Sequence, residues 1–287
     1  MKKIGLFFVN GIDFLLRSFV RLVTFLRIRP LVTLVLRALT RVVLFTLHKL
    51  YFRLEILGHS NIPKTGGVLI AANHQSYLDP PLVGLCVWRW VTFISKIENF
   101  KAPILGPLVE LGGAYPVVRG GDDTALEFFI KLLKEGHVLS IFPEGTIPAE
   151  EDIPRSAIEP QTGLLRGKTG AIRLALKARV PIVPMGISGA GKALCPEAVP
   201  RGEQLPLPKP VKITVKFGKP WDLNAYYDCP ITKELLRTLT NELMKKISDL
   251  VDPIRNYIPF TVPVSEETYR KIHAYEGKKG PLKSFDF

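Results

Sequence analysis

The sequence is poor in the residues from which disulfide and metal sites are made. Three cysteines and five histidines are spread over 287 residues. Cys86, Cys195 and Cys229 are far apart and odd in number, which excludes a disulfide framework and a C-x-x-C zinc site and fits a reducing compartment. His48, His59, His74, His137 and His273 form no His-x-x-x-His pair, so the usual helical zinc spacing is missing. Acidic residues are scarce at the start: residues 1–53 hold ten lysines and arginines against Asp13 alone, nine of the thirteen excess positive charges of the chain. That segment also lacks any uncharged apolar run near the ~18 residues that a bilayer-spanning helix requires. Asp13, Arg17 and Arg21 interrupt any apolar stretch of a secretory signal. The phosphate-binding loop of nucleotide hydrolases is missing as well. Gly167, Lys168 and Thr169 could close such a loop, but Thr162 stands where its first glycine belongs, and Gly163 is one residue too close.

What the N-terminus does have is apolar bulk and arginine at helical spacing. Asp13, Arg17 and Arg21 recur every four residues, as do Arg37 and Arg41. Arg29-Pro30 is the natural break, so two helices are expected over about 4–28 and 31–50. An amphipathic pair lying in the interface of an anionic membrane fits, with arginines reaching up to lipid phosphates at about 1 kcal/mol each. The plainer alternative is a helical hairpin packed on the rest of the protein. A nucleic-acid arm is excluded, since such arms are polar rather than rich in Leu, Val and Phe.

Beyond residue 53 strands alternate with helices. "VLIAA", "WVTFISK", "HVLSIFPEG", "PIVPMGISG" and "VKITVKFGKP" read as strands. "PPLVGLCVW", "DDTALEFFIKLLKEG", "GAIRLALKARV" and "TKELLRTLTNELMKKISDLV" read as helices, and residues 148–163 as a polar loop. The alternation argues for an α/β domain over 54–252, preceded by the helix pair 1–53 and followed by a tail, 253–287, without clear period.

The chemistry-bearing stretch is "NHQSYLDPP". His74 ends a buried strand, and Asp79-Pro80 reads as an N-cap followed by proline at the first helical position. One carboxylate oxygen could cap while the other accepts the imidazole N–H, fixing the tautomer and leaving the second ring nitrogen as a base. Further along, Arg119, Glu144-Gly145-Thr146 and "RGKTG" stand at strand ends or helix starts, where α/β sites are built. No Gly-x-Ser-x-Gly elbow surrounds Ser76, so a loop-shaping role suits it better than a nucleophile's.

"NHQSYLD", "GGAYPVVR", "FPEGT" and "VPIVP" resemble, in this order, the four motif blocks of the glycerolipid acyltransferases that include 1-acylglycerol-3-phosphate acyltransferases. The resemblance covers about residues 54–220 and implies a central mixed sheet flanked by helices. The helix pair is similar to the docking motif of bacterial members. Carried over, His74 is the general base and Asp79 its orienting partner. Arg119, Glu144, Gly145, Thr146 and Lys168 would hold the acceptor and its phosphate, and Asn73 and Ser76 would shape the loop. Backbone N–H groups would hold the tetrahedral oxyanion. The reaction implied is acyl transfer from acyl-CoA or acyl-carrier protein to a lysophospholipid, by default lysophosphatidate, with no metal or cofactor. The place implied is the cytosolic face of the cytoplasmic membrane. Two departures stand out: Ile147 occupies a position where the family commonly has arginine, and the link after it is long and carries Glu150, Glu151 and Asp152. These leave room for a different lysolipid or glycolipid acceptor. A catalytically silent membrane-binding protein of the same fold is the rival from another class.

Overall fold

The computed structural model describes residues 2–252 except 102, 104, 105, 108, 109, 111–113, 118–122, 148–157, 160, 161 and 195–206. Helices α1 (Lys2–Phe25) and α2 (Arg29–Tyr51) open the chain. They are followed by β1 (Glu55–Leu57), β2 (Val68–Ala72), α3 (Asp79–Cys86), β3 (Val91–Lys96), α4 (Ile97–Lys101) and β4 (Tyr115–Val117). Next come α5 (Asp123–Lys134), β5 (Val138–Ile141), β6 (Ile158–Glu159), β7 (Leu164–Leu165) and α6 (Gly170–Ala178). The described chain closes with β8 (Ile182–Ser188), α7 (Ala190–Ala193), β9 (Thr214–Phe217) and α8 (Lys233–Ser248). Two compact units result, one from residues up to Thr46 with Thr92–Phe128, the other from Leu47–Val91 with residues from Phe129.

The second unit holds a mixed sheet in the order β1-β9-β8-β2-β5. β2 runs parallel to β5 and β8, whereas β9 is antiparallel to β8 and parallel to β1. All five residues of β2 and all seven of β8 are buried, as the continuous apolar runs "VLIAA" and "IVPMGIS" require of strands covered on both faces. Helix α6 packs on β2 and α8, and α8 on β8. Leu236, Leu239, Leu243 and Ile247 form the buried stripe of α8, which Thr232 caps by accepting from Leu235 N at 3.1 Å. At the N-terminal ends of β2 and β5, the Arg89 guanidinium donates to the carbonyls of Pro63 (3.0 Å), Gly66 (2.6 Å) and Gly136 (2.6 Å).

In the first unit β3 and β4 pair in parallel, Ile94 opposite Tyr115. The stripe of Asp13, Arg17 and Arg21 is divided: Arg21 is exposed, as a lipid-seeking cation should be, whereas Arg17 is turned onto Asp13. Arg17 Nε donates to Asp13 Oδ2 at 2.9 Å, and its guanidinium lies against Gly106. A second exposed stripe of α1 is apolar: Ile12 (46%), Leu15 (67%), Phe19 (42%), Leu22 (53%) and Leu26 (51%) follow the helical repeat. On α2, Leu31, Val35, Leu39 and Val42 are likewise exposed. No described helix is long and apolar enough to cross a membrane. A second difference lies in the loop expected over 148–163: its last part holds β6, which pairs antiparallel with β7 just beyond it, the turn passing through Gly163 at φ +65°. Two-residue strands leave no period for a sequence pattern to display.

Candidate active site

The site is assembled from the C-terminal ends of adjacent parallel strands. β2 ends at Ala72 and β5 at Ile141, in a register that places Ala71 opposite Ile141. His74 and Glu144 each follow by a few residues, so the sheet brings the main chain of one to the side chain of the other across 70 positions.

Asn73 is the first anchor. Its amide donates to Ile187 O at 2.9 Å and accepts from Ile187 N at 2.7 Å, continuing the β2–β8 ladder with a side chain. Only a carboxamide offers donor and acceptor side by side for such a bond. The chain then turns over Asp79. Oδ2 of Asp79 accepts from Gln75 N (2.6 Å), Ser76 N (2.7 Å) and His74 Nδ1 (3.0 Å). The expected division of labour between two oxygens is therefore overturned. Asp79 is not the cap of α3: the N-cap is Leu78, with no side-chain capping bond, and one oxygen of Asp79 takes all three donors. The reason is the tight turn that Asp79 N closes onto Ser76 O at 3.1 Å, which aims two main-chain N–H groups at the carboxylate. Oδ1 is buried without a hydrogen-bond partner among the described residues. Ser76 shapes this loop, its hydroxyl donating to Leu194 O at 3.1 Å and accepting from Leu78 N at 3.2 Å.

A carboxylate that only accepts places the imidazole proton on Nδ1 of His74 and leaves the lone pair on Nε2. The ring is stacked on Phe142 at 4.1 Å and 20°, and the side chain is 16% exposed, against 0% for Asp79. Such a group can take a proton from a hydroxyl brought to Nε2. The N–H groups of His74, Gln75 and Ser76 already donate to carboxyl oxygens and are not available to an oxyanion.

The third block folds as a turn, Gly145 N donating to Phe142 O at 2.9 Å. Gly145 sits at φ +78°, and a Cβ there would come within 2.5 Å of Lys168 Nζ, so the lysine side chain crosses over the glycine. Glu144 is 2% exposed and accepts from His74 N at 2.7 Å and from Leu165 N at 2.9 Å. Burial pushes its carboxyl up to about 8, with Asp79 adding and the two N–H bonds opposing. Thr146 is buried, and Ile147, at 2% exposure, fills the interior where an arginine would leave a charge. Arg166 and Lys168 are exposed. Arg119, Glu150, Glu151, Asp152, Cys195 and the tail from Pro253 lie outside the described residues. Sequence reasoning gives Asn73 only a shaping role and leaves out Phe142 and Leu165. Of these two, Phe142 alone carries a signal, as an aromatic between a buried strand and Pro143.

A family model described as "Acyltransferase" matches residues 53–188. The match takes in just under half of the chain. The protein is an O-acyltransferase. A Bacillus subtilis protein named 1-acyl-sn-glycerol-3-phosphate acyltransferase is 27% identical over 200 residues, 68% of this chain and 87% of that one. A relative of the same name from Chlamydomonas reinhardtii is 31% identical over 207 residues, 70% of this chain and 57% of its own. The Saccharomyces cerevisiae protein of that name is 31% identical over 147 residues, and the match spans 45% of its length. The crystal structure of the 1-acyl-sn-glycerophosphate acyltransferase PlsC from Thermotoga maritima shares the acyltransferase fold. It matches with a TM-score of 0.50 at 24% identity, covering 87% of this chain and 97% of that one.

Proposed function

We propose that this acyltransferase moves a fatty acyl group from acyl-CoA or acyl-carrier protein to the free hydroxyl of a lysophospholipid, by default 1-acylglycerol-3-phosphate. The observation that carries the reading is the 3.0 Å contact between His74 Nδ1 and Asp79 Oδ2, which leaves Nε2 as the base. Nε2 takes the hydroxyl proton as the acceptor oxygen attacks the thioester carbonyl. The C–S bond then breaks, and the thiolate leaves with the proton returned from the imidazolium. Asp79 stabilises that imidazolium from a buried position. The step needs no metal and no acyl-enzyme. The names of the relatives support the acceptor class. Lys168, lying across Gly145, would supply a cation for the acceptor phosphate where Ile147 cannot, and Arg119 would add a second. The exposed apolar stripes of α1 and α2, flanked by arginines, would rest in the cytosolic leaflet and bring the site to its lipid.

Purified protein offered acyl-CoA and acyl-carrier protein against a panel of lysolipids, read by thiol release and lipid mass spectrometry, tests this. Release with lysophosphatidate, absent in His74→Ala, is expected. A wild type silent with every acceptor would instead support the non-catalytic membrane protein, and a different favoured lysolipid would move the acceptor assignment.

A further inference from the structure

We propose that Glu144 is a positioning residue, a clamp on the main chain of the base, rather than a ligand of the acceptor. The inference rests on His74 being the base of acyl transfer. Its starting point is that both carboxyl oxygens are already spoken for. Oε1 holds His74 N at 2.7 Å and Oε2 holds Leu165 N at 2.9 Å, and the residue is 2% exposed. An acceptor hydroxyl would have to displace a buried bond to reach either oxygen. A phosphate brought there would meet a second acceptor group, with Asp79 close enough to raise the Glu144 carboxyl further.

The two donors are well chosen for a clamp. The β2–β8 register ends with Ala72 opposite Met185, and the Asn73 side chain carries it to Ile187. His74 is the next residue, in a loop, and its N–H is satisfied by Glu144. The following two N–H groups go to Asp79. From Asn73 to Ser76 each residue is thereby tied, and the imidazole is held from its own backbone as well as from Nδ1. The other end of the clamp, Leu165, immediately precedes Arg166, Gly167 and Lys168. That segment is held from outside by Arg237 Nη1 on Gly167 O at 2.9 Å, and Lys168 N donates to Pro143 O at 2.8 Å, one residue before Glu144. One carboxyl group thus sets the distance between the base and the segment that carries Lys168. The geometry also explains the residue type. Only an ionised Asp or Glu presents acceptors alone on both atoms, which is why the two N–H bonds oppose the upward push of burial; glutamine would aim an NH2 at one of the two N–H groups, and aspartate is too short to span them.

Hydrogen exchange and steady-state kinetics on the full chain test the clamp. In wild type the amides of His74 and Leu165 should be protected by about 100-fold or more although neither belongs to the main sheet. In Glu144→Gln both should lose that protection while β2 and β8 keep theirs. Turnover should fall about 100-fold with the acceptor KM within about two-fold of wild type, the mark of lost alignment rather than lost binding. Glu144→Asp, should Glu144→Gln not fold, is expected to show the same split. Unprotected amides in wild type, or a raised acceptor KM at unchanged kcat in either variant, would overturn the clamp. A wild type without turnover would defeat the acyl-transfer reading instead, and the exchange pattern would still decide whether the clamp exists.

Discussion

The loop 73–79 and the helices α1 and α2 break the inside–outside rule in opposite directions. Asn73 (1%), Gln75 (2%), Ser76 (0%) and Asp79 (0%) are polar and buried, whereas Phe14 (68%), Phe25 (83%) and Leu50 (76%) are apolar and exposed. Asn73 finds its partner on β8, Ser76 on Leu194 O, and Gln75, Ser76 and Asp79 on one another, with Asp79 Oδ1 the exception among the described residues. The exposed ones are covered by none of the described residues and are free to meet an apolar surface. A buried polar loop is thus a feature of rigidity, and an exposed apolar stripe one of association.

The sharpest test of this contrast is His74→Ala. Turnover should fall by about 1,000-fold while the melting temperature stays within a few degrees, since the ring is part-exposed and the loop keeps its other bonds. A large loss of stability would show that the imidazole itself holds the loop. Next comes pH. Glu144 binds its proton more tightly folded, at about 8, than at its ordinary 4.5. The stability it contributes is complete below about pH 4.5 and is lost as pH rises through about 8, so the wild-type melting temperature should fall across that window. Glu144→Gln should flatten the decline, and an equal decline in both would assign it to other groups. On the association side, Leu15→Glu with Leu22→Glu should weaken binding to anionic vesicles by about 100-fold, because each leucine offers about 1.5–3 kcal/mol of burial. Folding stability should move by less than about 1 kcal/mol. Unchanged vesicle binding would place the lipid contact elsewhere. The smallest effect is expected from Asn73→Ala, about 1–3 kcal/mol in denaturant unfolding, from the two stranded groups of Ile187.

Much of this is legible in the sequence. The period-two and apolar runs locate β2, β5, β8 and β9, and the proximity of His74 to Asp79 follows from a strand end meeting a helix start. What escapes are the partners. Nothing near Asn73 points to Ile187, 114 residues away, because strand order is set by the whole sheet. The capping pattern at Asp79-Pro80 is a sound local inference that a tighter turn overrides. Helical spacing finds the Asp13–Arg17 stripe, but which side of a helix faces inward depends on what packs there, here Gly106.

Arg89 has a consequence at a distance. Its fork binds the turn before β2 to the turn before β5, at the pole of the sheet remote from His74. Each residue of a parallel strand advances about 3.3 Å. A single notch of slippage between those two strands would drag Glu144 out of reach of the imidazole's own amide. The guanidinium therefore acts as a set screw for a gap that opens at the opposite end, and an ammonium, whose three donors radiate from one freely rotating nitrogen, would not space the carbonyls as the rigid fork does.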